Sequence, residues 1–224
     1  MSCAEGEITG LLGLNGAGKT TVLKAVCARH FATGGEVVVD GVSAGESPEI
    51  VRNLTGFVQE EPDLPGEYTV AEYLGAVASL HGAGRGVSPW LTDSLSLGPL
   101  LNKKIRSLSK GQKGRVNLAQ ALVYNPGVLV LDEPSSGLDP AQIVSMRSLI
   151  RSLKAGRTIL LSTHLMQEAV SLCDRIFIIH EGNLAAAGTP DEITAGYGCG
   201  SLEEAFMRIT GGEGAGPRRG GDLG

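Results

Sequence analysis

The 224-residue sequence lacks the features that mark membrane-spanning, secreted and nucleic-acid-binding chains. No apolar stretch approaches the roughly 20 residues of a membrane-spanning helix, and no basic-then-apolar secretory signal stands at its start. Its 19 Lys and Arg against 24 Asp and Glu give a formal charge of −5, which is no general electrostatic footprint for nucleic acid. The composition therefore favours a chain that neither inserts directly into a membrane nor binds nucleic acid.

The four cysteines also lack the spacing of a redox or metal motif. Cys3, Cys27, Cys173 and Cys199 form no C-x-x-C pair and are interpreted as reduced cytosolic thiols. Cys27 and Cys173 lie within apolar helical patterns, so we expect both side chains to pack in a core.

What the sequence does contain is a phosphate-binding loop. Residues 13–20 match G-x-x-x-x-G-K-[ST] between a strand-like run at 8–12 and a helix-like run, which disfavours a chance glycine-rich turn. The glycines let backbone amides approach phosphate oxygens, and the helix start adds positive potential. We expect Lys19 to reach the outer phosphates and the Thr20 hydroxyl to ligate Mg²⁺. The predicted nucleotide contacts are Gly13, Leu14, Asn15, Gly16, Ala17, Gly18, Lys19, Thr20 and Thr21.

A second motif follows an apolar run in the second half of the chain. Val128–Leu131 leads directly into Asp132 and Glu133, as expected for a central parallel strand with carboxylates at its exit. Asp132 is predicted to hold Mg²⁺ through water. Glu133 is predicted to polarise the attacking water as general base, which is typically worth ~10²–10⁴ in rate.

Apolar runs along the chain predict an α/β fold with a parallel sheet. Strands are expected at Glu7–Leu12, Glu36–Asp40, Leu54–Val58, Val128–Leu131, Thr158–Leu161 and Arg175–Ile179, with a hairpin at residues 181–183.

A third motif indicates which family of phosphate-loop proteins the chain resembles. Leu108-Ser109-Lys110-Gly111-Gln112 resembles the Leu-Ser-Gly-Gly-Gln signature of the ATP-binding subunits of ABC transporters. Gln59 resembles the family's Q-loop glutamine, residues 136–139 resemble its D-loop, and His164 resembles its switch histidine. These motifs stand in family order over residues 6–179. The Lys at position 110 and the C-terminal pattern resemble bacterial exporters of the gliding-motility, drug and copper-related branch.

The resemblance implies a P-loop NTPase (RecA-like) core and ATP sandwiched with Mg²⁺ between two chains. It assigns catalysis to Lys19, Gln59, Glu133 and His164, the metal to Thr20, Gln59 and Asp132, and the partner's nucleotide to Ser109, Gly111, Gln112 and Asp139. Taken singly, Ser109 is equally an ordinary helix N-cap, His164 a packed residue and Gln59 a polar strand end.

The resemblance also divides the chain. An ABC ATPase domain over residues 1–210 would comprise a core (1–61 and 113–210), a partial antiparallel β subdomain and a helical insertion at about 62–112. Residues 211–224 are Gly/Arg-rich and predicted to be disordered. The predicted apolar face of the insertion consists of Val70, Tyr73, Leu74, Val77 and Leu80.

The implied function is ATP hydrolysis that powers a separate transmembrane permease, in the direction of export. The chain would act as a homodimer or heterodimer in the cytoplasm, peripheral to the inner face of the membrane through the permease. Gln59–Asp63 and Tyr68–Val70 are expected to meet the permease, although a solvated acidic loop is the alternative. Two other functions stay open: a soluble ABC ATPase acting on ribosomes or DNA, and a truncated nucleotide-binding fragment without turnover.

Two departures from the family pattern concern Lys110 and the N-terminus. Lys110 replaces a glycine and is expected to face solvent. Family members carry a longer segment before the equivalent of Glu7, which supplies strands and an aromatic ring that stacks on adenine, whereas no aromatic residue precedes Phe31 here. A fragment, a misassigned start and nucleotide binding without stacking all stay open.

This departure generates a prediction about nucleotide selectivity. Without the stacking ring, worth ~1–3 kcal/mol per base, ATP should bind about ten- to hundredfold more weakly and with poor preference over GTP. Titrating both nucleotides against this chain, and against one extended upstream of Met1, measures the effect. Full ATP affinity with strong preference over GTP in the short form would contradict it.

Overall fold

The computed structural model describes residues 1–84 and 86–211. The predicted disordered tail, residues 211–224, lies outside the described residues apart from Gly211. The strands are β1 (Ile8–Leu12), β2 (Val38–Val39), β3 (Val42–Ser43), β4 (Thr55–Val58), β5 (Val128–Asp132), β6 (Thr158–Thr163), β7 (Arg175–His180) and β8 (Asn183–Gly188). The α-helices are α1 (Lys19–Val26), α2 (Pro48–Leu54), α3 (Val70–Leu80), α4 (Pro89–Ser94), α5 (Lys110–Leu122), α6 (Pro140–Leu153), α7 (Met166–Leu172), α8 (Pro190–Gly196) and α9 (Leu202–Thr210).

A six-stranded sheet in the order β4-β5-β6-β1-β7-β8 forms the centre of the molecule. The first five strands in that order are parallel, and β8 closes the sheet antiparallel to β7. All five residues of β1 are buried, because helices cover both faces of such a sheet and leave no solvent-facing side. The predicted α/β class with a parallel core is therefore confirmed.

Alternate residues along the strands separate two apolar layers. Leu12, Leu131 and Ile178 belong to the larger cluster, which extends into the helical insertion. Leu11 and Val130 belong to a smaller cluster with α1, where Cys27 is buried; Cys173 is buried in the larger one. Both cysteines thus pack in the core as predicted.

The helical insertion begins with α3, whose N-terminus is capped by Thr69 and Glu72. The Thr69 hydroxyl accepts from the Glu72 N–H (3.2 Å), and the Glu72 carboxylate accepts from the Thr69 N–H (2.7 Å). The predicted apolar face was wrong at Leu80, whose side chain is 85% exposed, while Ala78 is buried. Leu80 is the last residue of α3, where the helix no longer follows the core.

The antiparallel elements agree only partly with the sequence. The expected strand at Glu36–Asp40 is reduced to the two residues of β2, paired with β3. The predicted hairpin is confirmed between β7 and β8. Glu181 (φ 49°) and Gly182 (φ 76°) both have left-handed backbone, as a two-residue turn of this kind requires. Among the described residues no helix has the length and apolar character to cross a membrane.

Helix α5 covers the outer edge of β4 with polar side chains. Tyr124, just beyond the helix, donates its hydroxyl to the Thr55 carbonyl (2.7 Å). The Gln120 amide donates to the Phe57 carbonyl (2.9 Å), and the Asn117 amide donates to the Gln59 carbonyl (2.8 Å). Because strand carbonyls that point the same way recur every second residue, three side chains three or four positions apart satisfy the edge.

Asp174 anchors the N-terminal end of β1. Its carboxylate accepts from the Ile8 N–H (2.7 Å) and from the Lys154 ammonium (2.7 Å). Burial opposes its ionisation, but these hydrogen bonds outweigh burial and hold the pKa of the Asp174 carboxyl below its ordinary value. A carboxyl with a lowered folded-state pKa stabilises the fold above its unfolded-state pKa, about 3.9, and loses that contribution as the pH falls through the folded value.

We therefore predict that Asp174→Asn lowers the free energy of unfolding by ~1 kcal/mol at pH 7, since the site is partly exposed and screened. The difference from the parent should persist down to about pH 4 and shrink below it. Urea unfolding between pH 7 and pH 3.5 measures this. Asp93→Asn, at an exposed carboxylate of α4, is the matched control; a difference of equal size for both variants would contradict the role of Asp174.

Candidate active site

The predicted site residues gather at the carboxyl ends of the parallel strands. The phosphate loop follows β1, Glu133 follows β5, and His164 follows β6, which is the edge where open parallel sheets bind their ligands. A cavity of about 330 Å³ opens there. It is lined by Leu14, Asn15, Gly16, Gly18, Lys19, Thr20, Thr21, Glu60 and Glu133.

The phosphate loop depends on its glycines at specific points. Gly16 (φ 81°) and Gly18 (φ 103°) have left-handed backbone, and Gly18 is the N-cap of α1 without a side-chain cap. A Cβ on Gly13 would lie 2.6 Å from the Ile179 carbonyl oxygen, so the loop packs against β7 only with glycine there. The uncapped helix start leaves amide N–H groups for an anion.

Lys19 is buried inside this loop, with 6% of the residue exposed. Its ammonium donates to the carbonyls of Gly13 (2.8 Å) and Leu14 (3.3 Å). It also lies 3.3 Å from Glu133 Oε1, an ion-pair distance whose geometry is not that of a hydrogen bond. Oε1 consequently has no hydrogen-bond donor among the described residues and faces the loop.

Glu133 has an unusual backbone for a residue with a side chain. Its φ of +47° lies in the left-handed region, which costs roughly 1–3 kcal/mol and persists only when the surroundings hold it. The Glu133 N–H donates to Ser162 Oγ (3.0 Å), and Ser162 Oγ donates to Asp132 Oδ1 (2.6 Å). Ser162 thereby fixes both carboxylate residues from the neighbouring strand.

The second carboxylate oxygen of Glu133 meets His164. Oε2 lies 2.8 Å from His164 Nδ1, and because a carboxylate accepts, Nδ1 carries the proton. The His164 side chain is 44% exposed, whereas that of Glu133 is 8% exposed. Glu133 thus lies between Lys19 and His164, and these three predicted residues are brought together.

Gln59 is placed differently. Its backbone carbonyl is held by Asn117, but its exposed side chain makes no hydrogen bond to the other predicted residues within the described part of the chain. With Glu133 it lines a neighbouring cavity of about 210 Å³.

The signature residues lie away from the phosphate loop of their own chain. Ser109 Oγ accepts from the Gln112 N–H (3.3 Å), and Gln112 Oε1 accepts from the Ser109 N–H (3.1 Å), which makes a capping box for α5. Asp139 likewise caps α6 by accepting from the Gln142 N–H (2.9 Å). In a single chain these residues cap helices, and Gly111 and Asp139 line a separate cavity of about 460 Å³.

Lys110 is exposed, as expected, but its ammonium does not simply extend into solvent. It lies over Gly137, where a Cβ would overlap the ammonium. The long side chain therefore connects the signature to the D-loop.

Sequence reasoning missed three polar side chains in this region: Ser162, Ser135 and Glu168. Ser135 Oγ donates to Glu168 Oε1, and both residues are buried. Ser162 had a visible signal, since Ser-Thr ends an otherwise apolar strand. Glu168 had none, because a glutamate in the first turn of a helix is usually exposed.

The chemistry of the oxygen donors fits Mg²⁺. The Thr20 hydroxyl and the Asp132 carboxylate are hard oxygen ligands of the kind that Mg²⁺ prefers. In residues 1–84 and 86–211 no group of three or more His, Cys, Asp or Glu side chains could hold a metal ion by itself.

Comparisons with known proteins agree with this geometry. The family model described as ABC transporter matches residues 1–136. The Nod factor export ATP-binding protein I of Burkholderia pseudomallei (strain 1710b) is 41% identical over 204 residues, covering 88% of this chain and 67% of that protein. The corresponding protein of Rhizobium sp. (strain N33) is 35% identical over 206 residues, with 89% and 68% covered.

Solved structures are similar as well. An ATP-binding subunit of an ABC transporter has a TM-score of 0.86 at 31% identity, covering 93% of this chain and 90% of that one. The cassette MJ0796, as a post-hydrolysis dimer bound to ADP and Pi, has a TM-score of 0.75 at 26% identity, with 84% and 88% covered. The chain belongs to the ABC transporter family, as an ATP-binding subunit that hydrolyses ATP.

Proposed function

We propose that Lys19, Glu133 and His164 form the catalytic centre of this ATPase and that the chain powers export through a separate permease. The observation that carries the proposal is the placement of the Glu133 carboxylate between the loop lysine and the histidine. One carboxylate oxygen faces the phosphate loop, and the other is oriented by an imidazole N–H. This is how a general base is held near a reacting phosphate.

Binding of a triphosphate would release Glu133 from Lys19. The ammonium now bonded to loop carbonyls would turn to the outer phosphate oxygens, because negatively charged oxygens accept its hydrogen bonds more strongly than neutral carbonyls do. Oε1 would then be free to accept a proton from the attacking water. His164 holds Oε2, so the carboxylate keeps its orientation while Lys19 moves.

Magnesium would bind beside this carboxylate. We assign it to the Thr20 hydroxyl, to Asp132 through water and to Gln59 after the Q-loop moves. Mg²⁺ supplies neutralisation of developing phosphate charge. Ser162, which donates to Asp132, orients that carboxylate toward the ion.

The second half of each nucleotide site would come from another chain. Ser109, Gly111, Gln112 and Asp139 lie outside the phosphate-loop cavity of their own chain, and α5 presents its N-terminus at Ser109. The similar cassette MJ0796 has been solved as a dimer. We propose the same tail-to-head arrangement here, as a homodimer or heterodimer, with the signature binding the γ-phosphate held by the partner.

Transport follows from assembly with a permease. Several relatives are named as export ATP-binding proteins, and the similar cbiO1 of Clostridium perfringens, at 27% identity and a TM-score of 0.76, is part of a complex. We propose export, with the chain peripheral to the inner face of the membrane through its permease. The core (1–61 and 113–210) would hold ATP, and the helical insertion (about 62–112) would move together with the permease.

The permease would meet the loop at Gln59–Asp63 together with Tyr68 and Thr69, whereas the prediction of Val70 was wrong, because its side chain is buried in the core. Tyr68 is 52% exposed, and Glu61 and Asp63 are exposed as well. Glu60 is a poorer choice for docking, because it accepts from Ser136 Oγ (3.0 Å) and lines the phosphate-loop cavity.

One prediction of the proposed function concerns Glu133 as the general base. Glu133→Gln keeps the shape but removes the proton acceptor, so kcat should fall by ~10²–10⁴ while ATP affinity stays nearly unchanged. Steady-state ATPase rates and nucleotide titration measure the two effects. Glu203→Gln, at an exposed site on α9, is the control. Parental turnover in Glu133→Gln would exclude Glu133 as the base.

Another prediction of the proposed function concerns docking to the permease. Asp63→Lys should weaken stimulation of ATPase by the permease and leave basal activity unchanged, because Asp63 lines neither the phosphate-loop cavity nor the neighbouring cavity that contains Glu133. Reconstitution with the permease gives both rates. Glu46→Lys, an exposed carboxylate outside this loop, is the control. An equal loss of basal and stimulated activity would show damage to the nucleotide site instead.

A further inference from the structure

The segments that follow β5 and β6 in the chain run beside each other and are joined by hydrogen bonds at three levels. The first level joins Ser162 to Asp132 and to the Glu133 N–H, and the second joins His164 to Glu133. A third level joins the hydroxyl of Ser135 to the carboxylate of Glu168. The first two belong to the centre described above, while neither Ser135 nor Glu168 lines the phosphate-loop cavity.

Glu168 is in an unfavourable place for a packing residue. It is 1% exposed in the first turn of α7, and Ser135 is 3% exposed. Oε1 accepts from Ser135, while Oε2 has no hydrogen-bond partner among the described residues. A buried carboxyl group with half of its hydrogen bonds unmade is costly. An apolar side chain would fill the same space with less penalty, which argues for a role beyond packing.

We propose that Ser135 and Glu168 are positioning residues that set the separation between Glu133 and His164. Ser135 follows Glu133 by two residues, and Glu168 follows His164 by about one helical turn. A bond between the far ends of two short segments restrains how far their near ends can part. The inference rests on the proposed role of Glu133, since the separation matters only if that carboxylate acts as base.

The burial of the pair makes the restraint effective. A hydrogen bond between exposed side chains would compete with water and hold little, whereas a bond in a buried site has no such competitor. The Glu133–His164 contact above it is half-exposed on the histidine side. The buried Ser135–Glu168 bond therefore restrains the partly exposed Glu133–His164 bond, which orients the proposed base.

The test uses Ser135→Ala and Glu168→Leu in the full chain, because each change removes the hydrogen bond, whereas the amide oxygen of a glutamine at position 168 would still accept from Ser135. Both should lower kcat by about tenfold, because small displacements of a catalytic group cost up to ~10² in rate, with the ATP dissociation constant unchanged within about twofold. Ser135→Thr, which keeps the hydroxyl, should restore most of the rate. Ser152→Ala, an exposed hydroxyl on α6, is the control. Thermal unfolding of every variant separates misfolded protein from slow enzyme.

A second comparison separates positioning from general stability. If the pair acts through His164, Ser135→Ala should cost tenfold in the parent but less than about twofold in a His164→Ala background. Equal losses in both backgrounds, or a kcat that stays parental in both variants, would overturn the inference. If Ser135→Ala unfolds the chain, Glu168→Leu decides alone.

Failure of the base assignment gives a different result. Should Glu133→Gln hydrolyse ATP at the parental rate, the proposed centre is wrong, whatever Ser135 does. Should Glu133→Gln be inactive while Ser135→Ala and Glu168→Leu are parental, only the positioning inference fails.

Discussion

The parallel register of β1, β5 and β6 is the constraint on which the site depends. In this register Leu11 and Asp132 both pair with Ser162, so the three strands end at the same level of the sheet. The phosphate loop, the two carboxylates and the histidine follow within one or two residues of those ends. A shift of β6 by one residue would turn Ser162 to the opposite face and remove the support of Asp132 and Glu133 together.

At these strand ends the proposed catalytic centre is held together by opposite charges in a nearly buried site. Lys19 and Glu133 are both nearly buried, and each partly compensates the other. Leaving either charge alone there would be far more costly than leaving the pair. In the proposed mechanism, nucleotide binding would therefore exchange one partner of Lys19 for another rather than order a mobile side chain.

Local patterns and strand exits predict the sheet, the phosphate loop and the hairpin, whereas the grouping of His164 with Lys19 and Glu133 was implied by the family resemblance. The sequence mispredicts Leu80, since periodicity does not reveal where a helix leaves the core. It overextends the strand at Glu36–Asp40, since apolar runs do not specify pairing partners. Glu168 and Ser135 were invisible because their contact joins residues 33 positions apart, and neither type is unusual at its own position.

The capped edge of β4 has a counterpart at the opposite end of the sheet. Asn117, Gln120 and Tyr124 occupy the carbonyl groups of β4, so no foreign strand can add there without displacing α5. The other edge is β8, which is mostly exposed and alanine-rich, with Leu184 49% exposed and the Tyr197 hydroxyl 3.4 Å from the Ala185 carbonyl. Within the six-stranded sheet, β8 is therefore the edge open to a foreign strand, and a charged side chain on β8 would oppose such pairing.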